Sequence, residues 1–274
     1  MTDHFFSENE KRLLQHNRLA GFRELWELEL EWFEPPNFRR SGWSGAARFE
    51  LEDMNGSRIG VFIKRQENHL RRTWRYPGGC ATFRIEWQNL CRLSRLGVPV
   101  TQPLYYGEEL CDNRPRAILI TYELAGFSAL DDWLEESSSP AAAARRLALL
   151  QPTARAVRAF HDCGYRHNCL YPKHILLKLR EEGEQRAVET RLIDLEKSRR
   201  VFFPLQARIR DLATLFRRCP ALTNHEKDLL LNYYLEAGLE YLPPHQLKEQ
   251  LWRYPLVKWL KRRIAAQEKR KNSG

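Results

Sequence analysis

The chain has 274 residues, 43% of them hydrophobic and 11% aromatic, and carries 45 Lys and Arg against 35 Asp and Glu, a formal net charge of +10. That apolar content excludes a disordered chain and suffices for a sizeable core, so one two-lobed domain or two small ones are expected. No apolar run approaches the roughly 18 residues needed to span a bilayer, and the start MTDHFFSENEKRLLQ lacks the basic end and apolar stretch of a signal peptide, so the chain reads as soluble and cytoplasmic.

Residues 9 to 33 mix apolar positions (Leu13, Leu14, Leu25, Trp26, Leu30) with charges and read as helical or mixed, stopped by Pro35-Pro36; residues 1–36 are taken as an N-terminal extension. Ser41-Gly42-Trp43-Ser44-Gly45 reads as a glycine-containing turn before a strand. Two alternating segments, Arg48 to Leu51 and Ile59 to Ile63, flank Met54-Asn55-Gly56-Ser57, whose Asn-Gly pair marks a hairpin. Phe83 to Leu96 reads as a helix closed by Gly97, and Ala117 to Tyr122 as a buried strand. A short helix at Asp131 to Leu134, a Ser-rich turn at Glu135 to Pro140 and a long helix from Ala141 to Cys163 follow. Ile175 to Leu179 and Thr190 to Asp194 form a second hairpin. Beyond Arg208 the pattern is helical, over Asp211 to Arg217, Glu226 to Ala237 and Gln246 to Ile264.

The six cysteines (Cys80, Cys91, Cys111, Cys163, Cys169, Cys219) form no C-x-x-C pair or metal-like spacing, which favours thiols over disulfides or a zinc site. Positive charge is clustered: Val257 to Lys271 holds Lys258, Lys261, Arg262, Arg263, Lys269, Arg270 and Lys271 against Glu268, and a second group contains Lys64, Arg65, Arg71, Arg72 and Arg75. Nucleic acid, an anionic membrane face and a phosphorylated ligand all answer to such patches. In the tail, Trp252, Leu256, Trp259, Leu260 and Ile264 recur at near-helical spacing beside the basic residues, as on a surface-bound or core-docked helix.

Polar residues at the ends of these elements make one inventory. The glycine turn Gly42 to Gly45, with Ser44 between, would bring main-chain amides to phosphate oxygens; Lys64 in the next strand would neutralise them, and Glu86 on the following helix would hold that lysine. His167 and His174 flank a loop after the long helix. Asp194, after Leu192-Ile193 at a strand end, demands a partner and suits Mg²⁺. This is the equipment of a phosphoryl-transfer site, while the absence of G-x-x-x-x-G-K-[ST] disfavours a P-loop nucleotidase.

The stretches Ser41 to Gly45, Phe62 to Asn68, Ala81 to Glu86, Leu170-Tyr171-Pro172-Lys173-His174, Ile193-Asp194-Leu195 and Arg210-Asp211-Leu212-Ala213 closely resemble the bacterial lipopolysaccharide kinase family, which includes heptose and Kdo kinases, and within it the InaA-like branch. The resemblance covers about Arg39 to Phe216. It implies an α+β, protein-kinase-like two-lobed fold, with a small antiparallel-sheet N-lobe (37–123), a larger helical C-lobe (124–274) and ATP held between them. By position, Gly42, Ser44 and Gly45 match the loop over the ATP phosphates, Lys64 the phosphate-binding lysine, Glu86 its ion-pair partner and Glu123 the adenine hinge. Asp194 matches the Mg²⁺-binding aspartate, His174 stands where kinases place a metal-binding Asn, and Asp211 matches the anchor of the catalytic loop.

One position departs from the pattern. The general base of kinases lies five residues before the metal ligand, and there the chain has Cys169, within His167-Asn168-Cys169. A neutral thiol cannot stand in for a carboxylate. Asp162 reaching the site, Cys169 as a thiolate favoured by Lys173 and Arg166, and a packed, inert Cys169 are the open readings, with His167 packing the loop. General-base catalysis is worth about 10²- to 10⁴-fold, and Lys64, Lys173 and Asp194 remain for positioning and charge stabilisation. The expected activity is thus an ATP- and Mg²⁺-dependent kinase for a lipopolysaccharide core sugar at the cytoplasmic face of the inner membrane. The alternative is a pseudokinase or nucleotide-binding scaffold in envelope lipopolysaccharide biogenesis. The basic tail becomes a candidate contact with the anionic inner leaflet, where a glycolipid acceptor would be presented, and nucleic acid ranks last and is not expected as a partner.

Overall fold

The computed structural model describes residues 2–33, 35–39, 42–73, 75–135, 140–182, 185–202 and 204–237. The basic tail and the helix expected over 246–264 lie outside the described residues, as do Ser41 and most of the Ser-rich turn. The chain divides into two compact units, the first within Met1–Arg95 and Val100–Ala125, the second within Leu96–Pro99 and Gly126–Gly274. Among the described residues no helix is long and apolar enough to cross a membrane.

The first unit is built on a six-stranded antiparallel sheet. Its centre is the hairpin of β3 (Gly42–Glu52) and β4 (Arg58–Glu67), closed where the Asp53 carboxylate accepts from the main-chain N–H groups of Asn55 and Ser57 and Gly56 takes a positive φ of 80°. β4 pairs on its other side with β8 (Arg114–Tyr122), the strand expected from the apolar run 117–122. β7 (Pro103–Cys111) pairs with β8, and β2 (Asn37–Arg39) with β3. The segment expected as an N-terminal extension supplies β1 (Thr2–Phe5), which pairs with β7, and the helices α1 (Glu8–His16) and α2 (Phe22–Glu27). Leu14, Phe22 and Leu25 of that segment are fully buried in one cluster with Val61, Ile63, Ile118 and Ile120. Each such side chain contributes ~1.5–3 kcal/mol by leaving water.

Strand alternation sorts β4. Val61, Ile63 and Arg65 point into this cluster, where the Arg65 guanidinium donates to the carbonyls of Leu25 (2.5 Å) and Leu28 (2.7 Å) and stacks on Trp26; burial pushes its pKa down to about 10. Phe62, Lys64 and Gln66 take the other face. The glycine segment is a correction to the sequence reading: Gly42, Ser44 and Gly45 form no turn but lie within β3, with Ser44 opposite Gln66 and Gly45 opposite Arg65. Glycine is required there by close approach. A Cβ on Gly42 would stand 2.3 Å from the Glu67 carbonyl oxygen, and one on Gly45 2.8 Å from the Trp32 ring. A second hairpin, β5 (Leu70–Thr73) with β6 (Tyr76–Ala81), leads into α3 (Thr82–Arg95).

The second unit is mostly helical. β9 (Ser128–Ala129) and α4 (Leu130–Glu135) precede the long α5 (Pro140–Asp162), and β10 (Tyr165–Arg166) opens a loop that ends at the hairpin β11 (Ile175–Glu182) and β12 (Gln185–Leu192). β13 (Arg199–Arg200) pairs with β10, and α6 (Pro204–Arg218) and α7 (Asn224–Glu236) follow. Thr223 caps α7 in a reciprocal box with Glu226. Arg146 of α5 forks onto the same Glu226 carboxylate with two bonds of 2.9 Å and also donates to the carbonyls of Leu134 and Ala221. α7 is thereby fastened to α5. The element content is the α+β class expected.

Candidate active site

Lys64 lies on an interior strand, with Ala46 and Leu119 as its cross-strand neighbours, so the sheet fixes its stem. Its ammonium donates to Glu86 Oε1 at 2.7 Å, and the Glu86 side chain is only 2% exposed. A carboxylate so dehydrated is tolerable only with its charge matched, and the short charge-assisted bond holds the lysine in one place. The position of Glu86 has its own cause two residues further along β4. Gln66 is fully buried, its side-chain oxygen accepts from the Thr82 hydroxyl (2.8 Å) and the Phe83 N–H (3.1 Å), and its amide donates to the His69 carbonyl (2.6 Å). These bonds fix the start of α3, and Glu86 stands about one turn later on the same face. Gln66 carries no mark of this role in the sequence, because it stands in the polar run Lys64-Arg65-Gln66-Glu67 at the end of β4, where residue type alone does not tell a buried amide from a solvated one.

Glu123 follows β8. Its N–H donates to the Gly60 carbonyl (2.9 Å), and its carboxylate accepts from Arg48 Nε (2.8 Å), which also holds Glu50.

In the second unit the hairpin register builds the remaining pair. Ile175 opposes Leu192, which places His174 and Ile193 at the open end, where the Ile193 N–H donates to the His174 carbonyl (3.1 Å). Asp194 then takes a left-handed conformation, φ 60° and ψ 59°, which Asp tolerates better than most residues and which persists where the surroundings fix it. Its Oδ2 lies 3.3 Å from His174 Nε2. The other imidazole nitrogen, Nδ1, is 2.8 Å from the Cys169 carbonyl; a carbonyl only accepts, so Nδ1 carries the hydrogen and Nε2 is the nitrogen that meets the carboxylate. Among the described residues no group of three His, Cys, Asp or Glu side chains could hold a metal. His174 and Asp194 therefore fit a cation whose other ligands come from its substrate, as is usual for a metal that bridges phosphates.

His167 is fully buried. Its Nε2–H donates to the Ile193 carbonyl (3.1 Å), its ring stacks on that of His174, and burial pushes its pKa down to about 4, so it is neutral at pH 7 and packs the loop. Asp211 of α6 anchors the same loop by accepting from the N–H groups of His167 (2.6 Å) and Asn168 (3.0 Å) and from His161 Nε2 (3.2 Å). Burial alone would raise the Asp211 carboxyl, but the hydrogen bonds it accepts from His161 and from the main-chain N–H of His167 more than offset it and leave the pKa below its ordinary value. Cys169 is 5% exposed and presents its main-chain carbonyl to His174, whereas Lys173 is exposed. Asp162 is committed elsewhere: its carboxylate accepts from Arg158 Nε and from Arg208, both at 2.8 Å.

The sequence model of the lipopolysaccharide kinase (Kdo/WaaP) family matches residues 23–234, which span both charged pairs. The chain belongs to this family. Among relatives, it is 35% identical over 181 residues to protein InaA of Escherichia coli K12, an overlap of 65% of this chain and 79% of that one. It is 30% identical over 135 residues to the lipopolysaccharide core heptose(I) kinase WaaP of the same strain, 48% of this chain and 51% of the kinase. Among solved structures, WaaP in complex with acyl carrier protein aligns with a TM-score of 0.61 at 23% identity over 97% of this chain and 99% of that one, a likeness that shows the kinase-like fold.

Proposed function

We propose that this member of the family transfers the γ-phosphoryl group of ATP to a hydroxyl of a lipopolysaccharide core sugar, a heptose or Kdo. The observation that carries the reading is Lys64, fixed at 2.7 Å by a buried Glu86: a cation immobilised at such cost suits phosphate oxygens, because phosphoryl transfer depends on positioning and charge stabilisation. Gly42, Ser44 and Gly45 cover the nucleotide through strand β3, and Glu123 belongs to its adenine end. Asp194 and His174 would hold the divalent cation that such transfer uses, which when bound neutralises charge on the phosphates. Lys173, exposed on the loop, meets the phosphoryl group or the acceptor's own phosphate. The acceptor's hydroxyl proton has no carboxylate at position 169 to receive it.

The burial of Cys169 favours a second reading, a nucleotide-binding pseudokinase in lipopolysaccharide biogenesis. Transfer of labelled γ-phosphate to lipopolysaccharide from a core-kinase-deficient strain separates the two. Transfer that Lys64→Ala and Asp194→Ala abolish supports the kinase. No transfer to any core acceptor, with nucleotide bound equally well by wild type and both variants, would remove both readings of the site. We propose the cytoplasmic face of the inner membrane as the place of action, a reading supported by the family membership and by the basic sequence Val257 to Lys271, which would meet anionic lipid and the glycolipid.

A further inference from the structure

The donor set of the second unit is a carboxylate and an imidazole, which is an unusual pairing for a magnesium site. Mg²⁺ is a hard cation that favours oxygen ligands and retains water, whereas imidazole nitrogen raises affinity along the first-row series from Mn²⁺ to Zn²⁺. The structure adds a reason to treat His174 as a ligand and not as a packing residue. Its Nδ1–H is taken by the Cys169 main-chain carbonyl at 2.8 Å, the arrangement by which metal-bound histidines are commonly oriented, and its Nε2 meets Asp194 Oδ2 at 3.3 Å, a spacing two donors of one divalent cation can adopt. The ring is held on a second side by the parallel face of His167, 6.0 Å away, and by Tyr171, 5.3 Å away. Asp194 has a left-handed backbone, and both main-chain groups of the preceding Ile193 are held, its N–H by the His174 carbonyl and its carbonyl by His167 Nε2–H. Two rigid elements thus converge on one point with one nitrogen and one carboxylate.

We propose that His174 Nε2 coordinates the nucleotide-bound cation directly and that the site therefore selects a first-row transition dication over Mg²⁺. The inference rests on the kinase-site reading above for the nucleotide that completes the shell. No bond of the nucleotide or protein is made or broken by it; the selectivity is an equilibrium between ions competing for the same two donors.

The test uses the full chain with a non-hydrolysable ATP analogue and Mn²⁺ as a paramagnetic probe. Electron spin echo modulation of bound Mn²⁺ should show coupling to a single imidazole nitrogen that changes when the protein is grown with ¹⁵N-histidine. The coupling should vanish in His174→Asn. Competition followed by the free-Mn²⁺ signal should give a Mn²⁺-over-Mg²⁺ preference at least tenfold lower in His174→Asn than in wild type. The ¹⁵N-histidine comparison needs no variant, so a His174→Asn protein that failed to fold would leave the inference open to refutation. Nucleotide-dependent Mn²⁺ binding without histidine coupling, or with coupling that persists in His174→Asn, overturns the inference and leaves the kinase reading standing. Absence of any nucleotide-dependent Mn²⁺ binding overturns both.

Discussion

Asp211 is the most exacting test of how the second unit holds its loop. Its carboxylate, fully buried, accepts three bonds, from His161 Nε2 and the main-chain N–H groups of His167 and Asn168, at 2.6–3.2 Å, with the Arg166 guanidinium 3.6 Å away. Asp211→Ala leaves three donors, two of them buried, without this acceptor, and at about 1.5 kcal/mol for each bond to a charged group the loss is on the order of 4–5 kcal/mol. That is a large share of the ~5–15 kcal/mol that typically separates folded from unfolded protein. With about 2–4 °C of melting temperature per kcal/mol for a domain of this size, Asp211→Ala should melt about 10–20 °C below wild type in calorimetry. Asp211→Asn keeps one carbonyl oxygen but turns an NH₂ toward a main-chain donor, and should fall between. The pH dependence has a definite sign. A folded-state pKa below the ordinary value means the stabilisation is complete above the unfolded carboxyl's pKa near 3.9 and is lost as pH falls through the lower folded value. The wild-type advantage over Asp211→Asn should therefore be flat from about pH 5 to 7 and shrink below about pH 4. An Asp211→Ala protein melting within about 2 °C of wild type would refute the reasoning, because that shift amounts to less than one lost bond.

Gly42→Ala should destabilise the first unit by about 2–3 kcal/mol or more, because its Cβ meets main-chain atoms of Glu67 and Asn68 that cannot turn aside; Gly45→Ala meets the Trp32 ring and should cost less, and urea unfolding read by tryptophan fluorescence orders the two. Arg146→Met should cost roughly 2–4 kcal/mol in the same assay, since Glu226 is 6% exposed and loses both guanidinium bonds, while Thr223→Ala, which removes only the hydroxyl from the cap, should cost about 1 kcal/mol.

Much of the architecture is legible because local signals agree with it. The Asn55-Gly56 turn, the alternation around Val61 and Ile63 and the 117–122 run name the three central strands, and helix periodicity names α3, α5, α6 and α7. What is missed is decided by tertiary pairing. β1 is four residues of mixed burial whose strand partner is β7, and the alternation of β7 itself is obscured by burial of five successive residues, Pro103 to Gly107. The glycine segment misleads for a related reason: Gly-x-x-Gly reads as a turn from local propensity, yet in the fold the glycines admit the backbone of Glu67 and Asn68 and the ring of Trp32. Within the site, charged side chains such as Lys64, Glu86 and Asp194 announce themselves by type. Gln66, the Ile193 peptide and the Cys169 carbonyl act through neutral or main-chain atoms, which residue identity does not advertise.

A main-chain contact limits what the cysteine at position 169 can change. Its contribution to His174 is made by the main-chain oxygen, which any residue would present, so loss of an acid there need not disturb the cation half of the site. Cys169→Ala should leave Mn²⁺ affinity in the presence of a nucleotide analogue unchanged within about twofold. Cys169→Asp should leave it similar while adding a carboxylate at the place of the general base. In a kinase hampered only by the missing base, γ-phosphate transfer should then rise by about 10²- to 10⁴-fold. The new carboxylate enters a position only 5% exposed, at a cost on the order of 1–3 kcal/mol in unfolding free energy, so the variant should be assayed below its lowered melting temperature. A cation affinity that collapses in Cys169→Ala would show that the side chain, not the peptide, orients His174. An unchanged rate in folded, nucleotide-bound Cys169→Asp would favour the scaffold, because a restored acid on the loop that carries His174 would then give no transfer.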